Sequence, residues 1–140
     1  MKAIVRSEYG TPDVLRLEDV PTPEPGDGEV LVRIRASSVN RSDLEALEGR
    51  PLMYRAFMGL RRPRDGRLGI DAAGEVEAVG PGVERFKPGD RVFADLLYNG
   101  ACAFAEYASA AAKAWRPIPD GVDFHTAATL PASAVLALQG

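Results

Sequence analysis

Cysteine and histidine are the scarcest chemically useful residues in this 140-residue chain, with one of each, Cys102 and His125. A single cysteine excludes an internal disulfide and a C-x-x-C redox pair. Together with an N-terminus, MKAIVRSEYG, that lacks an apolar targeting segment, it points to a reducing, cytoplasmic location. A lone histidine in the tail is read as a helix-end or surface residue before it is read as a metal ligand. Long hydrophobic runs are missing too. Nothing approaches the roughly 18 consecutive apolar residues of a membrane span. A strong charge of either sign is also lacking: the formal net charge is -3, so neither nucleic acid nor an anionic membrane is an expected partner. The local basic cluster Arg61, Arg62, Arg64 and Arg67 is read as a solvated loop, with a rim attracting an anionic ligand as the alternative.

What remains is an ordinary globular composition, 46% hydrophobic and 26% charged, in a length suited to one domain. Short strand signals separated by Gly/Pro turns fill the first two thirds. Strands are expected at Lys2 to Ser7 and Val14 to Val20, the latter with Leu15 and Leu17 on one face. Three prolines and two glycines make residues 21 to 28 a loop. Glu29 to Ser38 is the clearest strand, with Val30, Val32 and Ile34 alternating against Arg33 and Arg35. Ser42-Asp43-Leu44-Glu45 has the form of a capping box, which predicts a helix ending at Gly49. Residues 50 to 68 show no period and are expected to form a loop. Further strands are expected at Ala73 to Val79, Arg91 to Leu96, Phe104 to Ser109 and Trp115 to Ile118. Many short strands with frequent turns predict a mainly β, partly open barrel with short helices. From Asp123 the chain reads as a helical tail, interrupted at Pro131, which has no N–H to donate. The piece Ala132 to Gln139 is apolar on nearly every side and asks to be covered. The expected organisation is a domain over residues 1–122 and a helical connector over 123–140.

Four segments in order, PGDGEVLVRIRASSVNRSD, LGIDAAGEVEAVGPGVERFKPGDRVFA, AFAEYA and TLPASAVLALQG, resemble the GroES-like catalytic domain of medium-chain dehydrogenases/reductases. The resemblance is to the zinc-independent, quinone oxidoreductase-like and NAD(P)-dependent alcohol dehydrogenase-like branch. It covers about half the chain, and the spacing extends it over nearly all of it. In zinc-dependent relatives a cysteine opens the helix after the long strand, and a His-Glu pair follows. Here those positions read Asn40 and Ile70-Asp71, and the cysteine-rich zinc lobe has no counterpart. A zinc site needs three or four N, S or O ligands, and isoleucine offers none. No metal is expected.

The resemblance implies hydride transfer from NADH or NADPH to a carbonyl, an enone or a quinone, with a small carbonyl or quinone compound as substrate. It also implies that a Rossmann domain, absent from these residues, follows near residue 140. The string nearest to a dinucleotide-binding turn, Gly80-Pro81-Gly82-Val83-Glu84-Arg85, follows a strand without opening a helix and is read as a turn. Little cofactor affinity or turnover is therefore expected of the chain alone. Asn40, Asp43, Tyr54, Asp71 and Ser133 are the pocket residues the resemblance points to. For Asn40, donation to a substrate oxygen or the nicotinamide ribose stands beside a helix-start role. Asp43 is read as stabilising the first helical turn. Asp71 is read as held by an ion pair behind the pocket, with proton transfer the minor alternative. Tyr54 lines the mouth or packs, and Ser133 lies in the segment that relatives place near the nicotinamide. Leu136 stands where many relatives have a threonine, a departure that removes one expected polar cofactor contact. A homodimer is left open. The alternative function is a stand-alone, non-catalytic GroES-like binding module; a co-chaperonin shares only the barrel type.

Overall fold

The structure, a computed structural model, describes residues 1–100 and 102–139. Its centre is a five-stranded sheet. Strands β3 (Glu29–Ser38), β4 (Asp71–Val79), β5 (Arg91–Asp95), β6 (Tyr107–Ala111) and β7 (Arg116–Pro117) run in the order β6-β3-β4-β5-β7. A second, two-stranded sheet pairs β1 (Lys2–Val5) with β2 (Arg16–Asp19). Isolated bridges from Ala3 to Ala105 and from Val5 to Arg67 tie it to the body of the molecule. All strand pairings among the described residues are antiparallel, and β6 and β7 leave the main sheet open at its edges. This is the mainly β, open architecture with short helices that the turn-rich pattern predicts.

The long strands form because their apolar residues meet a core on one face. Val30 and Val32 of β3, Val76 of β4 and Val92 of β5 are buried with Leu96 and Trp115 in one cluster. Consecutive residues of a strand point to opposite faces. Ala72 therefore joins that cluster while Ala73 packs with Ile118, Ala127 and Ala128 on the other side. The β3–β4 register runs from Val30 opposite Val79 to Ser38 opposite Asp71, with two irregularities along the way. Gly74 sits where a Cβ would lie 2.2 Å from the Arg33 carbonyl oxygen, so only glycine lets β3 and β4 come this close.

Four short helices accompany the sheets: α1 (Arg41–Glu48), α2 (Met53–Met58), α3 (Phe124–Ala128) and α4 (Pro131–Gln139). Several local expectations change here. The capping box at the start of α1 is Asn40/Asp43, two residues earlier than the S-x-x-E string suggests. Because the helix begins at Arg41, the Ser42 N–H is one of the donors needing a cap, and Glu45 pairs with Arg41 at 2.8 Å instead. The segment 50 to 68 contains α2. Its period is hidden because Leu52, Met53 and Phe57 are apolar yet exposed, so apolar residues do not mark one face.

The second expected strand shortens to β2, every residue of which is exposed, Leu17 included. A helical turn at Pro12–Val14 takes up the residues before it, so alternation there marks no buried face. Strand β6 starts three residues later than expected. In the tail, Pro131 occupies the first position of α4, where a missing N–H costs nothing. Asp123 caps α3 by accepting from the Thr126 N–H at 2.7 Å. The last residue of the expected connector, Gly140, lies outside the described residues.

Candidate functional site

One cleft of about 460 Å³ opens between α1, α2, the segment leading into β4 and the turn after β5. Ala46, Phe57, Met58, Leu68, Ile70 and Leu97 make its walls apolar. Four polar side chains besides Ser42 reach its lining: Asp43, Tyr54, Arg67 and Tyr98. Arg67 is already committed to Asp65, with an Nη2–Oδ2 distance of 2.6 Å. Tyr54 and Tyr98 are exposed and stand at the mouth. Mostly apolar walls with a few converging polar groups are the usual make-up of a small-molecule site.

Behind the cleft lies a hydrogen-bond network centred on Asp71, which is fully buried. Its Oδ2 accepts from the Ser38 hydroxyl at 2.8 Å and from Asn40 Nδ2 at 3.1 Å. Its Oδ1 accepts from the backbone N–H of Ala132 at 3.0 Å, at the start of α4. Among the described residues no ion pair holds Asp71; the expected charge partner is replaced by three hydrogen-bond donors, enough to compensate a buried carboxylate. Asn40 bridges this network to α1. Its Oδ1 accepts from the Ser42 and Asp43 N–H groups, at 2.8 and 3.4 Å, while its amide nitrogen faces Asp71.

Asp43 is 4% exposed. Its Oδ2 accepts from the Asn40 N–H at 3.0 Å, completing the capping box, and its Oδ1 is buried without a hydrogen-bond partner. Burial pushes its carboxyl above the usual range. The Asn40 N–H counters that in part, the neighbouring Asp71 reinforces it, and the Ile70 and Gly69 N–H groups oppose it weakly.

The structure thus brings Asp43 and Tyr54 into one cleft and sets Asn40 and Asp71 directly behind Asp43. Ser133 stands apart, exposed on α4. Sequence reasoning missed Phe57, Met58, Leu97 and Tyr98. The only signal for the first two was an unexplained apolar content in a segment without period.

A zinc ion does not fit the residues at the corresponding positions. Asn40 is engaged through both ends of its amide, Ile70 has no donor atom, and the thiol of Cys102, 2% exposed, is raised by burial, away from the thiolate a metal needs. Among the described residues no three His, Cys, Asp or Glu side chains gather as a metal-binding group.

Residues 26–138 match the family model described as the alcohol dehydrogenase GroES-like domain. The chain belongs to this family, and its relatives include quinone oxidoreductases of the medium-chain dehydrogenase/reductase type. A quinone oxidoreductase from Lama guanicoe is 39% identical over 93% of this chain and 37% of its own length. The solved quinone oxidoreductase from Coxiella burnetii superposes with a TM-score of 0.87 at 33% identity, covering 99% of this chain and 43% of that one. The Escherichia coli quinone oxidoreductase, solved in complex with NADPH, gives 0.78 at 26% identity, over 91% and 36% of the two chains. The chain therefore spans well under half the length of the relatives it matches. No described helix is long and apolar enough to cross a membrane.

Proposed function

We propose that this chain is the substrate-binding part of a zinc-free, nicotinamide-dependent oxidoreductase that reduces a carbonyl, an enone or a quinone. The observation that carries the proposal is the apolar cleft, with a buried carboxyl on its wall and no metal donor set at the positions where zinc-dependent relatives have one. NADH or NADPH would supply a hydride, and negative charge would develop on the substrate oxygen. Such charge is stabilised best by hydrogen-bond donors fixed in a dry site. In this reading Asp43 and Tyr54 face the substrate. Asn40 and Asp71 hold α1 and the start of α4 in register behind it, and Ser133 lies on the cofactor side. Residues 1–122 form the substrate domain, and 123–140 connect it to a cofactor-binding domain, with α3 packed on the sheet and α4 reaching outward. The exposed Val135, Leu136 and Leu138 of α4 offer a surface to that domain or to a second copy. The single, buried cysteine supports a reducing compartment, and we place the protein in the cytoplasm.

The test is quinone-dependent oxidation of NADH and NADPH by the product of the whole reading frame, with metal content measured on the same sample. Turnover is expected to persist after chelation and to be missing from residues 1–140 alone. Zinc-dependent turnover would overturn the metal-free assignment. Turnover by the 140-residue chain would overturn the domain division, and binding of quinone without any hydride transfer would favour a non-catalytic module.

A further inference from the structure

Helix α2 is amphipathic the wrong way round. Its one charged residue, Arg55, turns inward. There Nε and Nη2 donate to the carbonyls of Gly49 and Glu48, at 3.0 Å each, and the guanidinium stacks on the Tyr9 ring. Its apolar residues turn outward. Met53, Ala56 and Phe57, with Leu52 before the helix, have the spacing of one helical face, and all four are exposed. The turn that follows continues this face. The Arg64 N–H closes it on the Met58 carbonyl at 2.7 Å, and Tyr9 donates its hydroxyl to the Gly59 carbonyl at 2.8 Å. Leu60, Arg61 and Arg62 are left exposed at its tip. Leu52, Met53, Phe57 and Leu60 are each between 70% and 77% exposed, and large apolar side chains gathered in this way mark a surface that is covered.

The charge of this face is as one-sided as its hydropathy. The net charge of -3 belongs to the whole chain and speaks against an anionic membrane only as an average. Residues 50–64 hold five arginines and no acidic residue. Arg50 lies 3.9 Å from Glu48, and Arg55 is spent inside. Arg61, Arg62 and Arg64 are exposed and, among the described residues, make no ion pair or side-chain hydrogen bond. An apolar protein surface would bury those three charges without partners, which is costly. An anionic bilayer answers both needs, because headgroup phosphates meet the arginines and the acyl boundary takes the apolar side chains.

We propose that residues 52–64 dock on the surface of an anionic bilayer. Leu52, Met53, Phe57 and Leu60 enter the acyl boundary, and Arg61, Arg62 and Arg64 sit on lipid phosphates. Phe57 also lines the cleft, so the docked face carries the cleft mouth. A ligand dissolved in the membrane reaches the apolar walls without crossing water.

The product of the whole reading frame is tested by flotation with phosphatidylcholine vesicles and with vesicles that also contain phosphatidylserine. Binding is expected only to the anionic vesicles and should weaken as salt is raised. Arg61→Gln/Arg62→Gln should lower that affinity about 30-fold, from about fivefold for each arginine near the surface. Leu60→Ser should lower it about tenfold. Neither variant alters a residue of the cleft lining. Turnover of a water-soluble quinone without vesicles is therefore expected to stay unchanged, which separates lost docking from lost folding. Equal binding to both vesicle types, or anionic binding indifferent to the arginines, overturns the inference. No flotation by a protein that turns over quinone overturns it too and leaves the cleft as the substrate site. Retention on immobilised polyglutamate without flotation overturns it in favour of an acidic protein partner. Arginine-dependent flotation without any quinone turnover upholds the docking and overturns the substrate reading.

Discussion

Asn40 has two jobs within one side chain: its Oδ1 caps α1 by accepting from two N–H groups, and its amide nitrogen donates to Asp71. Asn40→Ala removes the cap and strips a donor from a buried carboxylate. Each loss is worth about 1 kcal/mol or more, so a destabilisation of about 2 kcal/mol is expected in urea unfolding. Asp43 makes a different prediction, in pH. Its folded-state carboxyl titrates above the ordinary range because burial disfavours the charge. A carboxyl raised in the folded state favours folding while it is protonated, and that contribution is lost as pH climbs from the ordinary carboxylate range through the raised value. The melting temperature of the unsubstituted chain should therefore fall relative to Asp43→Asn over that rise, and parallel curves would refute the assignment. The residue types here were legible in the sequence, since Asn40, Asp43 and Asp71 all stood out. Their partnerships were not. Asn40 and Asp71 are 31 positions apart, and only the pairing of Ser38 with Asp71 across β3 and β4 brings them together.

Elements were legible in proportion to how much one face is buried. β3 could be read residue by residue because its alternation matches real burial, whereas β2 alternates and is exposed throughout. α2 was invisible for the converse reason: apolar residues lie on its solvent side as well as toward the cleft. The stop signal at Gly49 reads correctly, and the structure shows that it does more than end α1. Gly49 has φ 65°, and a Cβ there would approach Tyr9 Cδ1 at 2.6 Å and Arg55 Nε at 2.7 Å. Arg55 in turn donates to the carbonyls of Gly49 and Glu48, at 3.0 Å each, and stacks on the Tyr9 ring, so the α1–α2 corner is built around this glycine. Gly49→Ala combines backbone strain with a clash and should cost more than about 1 kcal/mol, measured by chemical unfolding. Because α1 and α2 are both walls of the cleft, the same variant should also weaken quinone binding.

The whole molecule was legible as an open, mainly β fold because the turn residues and the ordered family segments agree along the chain. The cleft was not, since its walls come from four separate stretches that meet only in three dimensions. At this scale the tail is the part least supported by its surroundings. Pro131 is the one buried residue of α4, while Leu136 and Leu138 are 66% and 89% exposed. Amide hydrogen exchange in the isolated chain should be much faster in α4 beyond its first turn than in β3 and β4. Leu138→Ala should change unfolding free energy by less than about 0.5 kcal/mol, as surface substitutions do. Slow exchange across all of α4 would contradict this picture. The first turn behaves differently. Pro131 brings no N–H of its own, and Ala132 gives its N–H to a carboxylate that lies 61 residues earlier in the chain. The tail is thus a lever whose fulcrum is riveted to the end of a core strand. The apolar surface that ends at Leu138 is thereby joined, through the Ala132–Asp71 hydrogen bond, to the same carboxyl that receives the Asn40 amide behind the cleft.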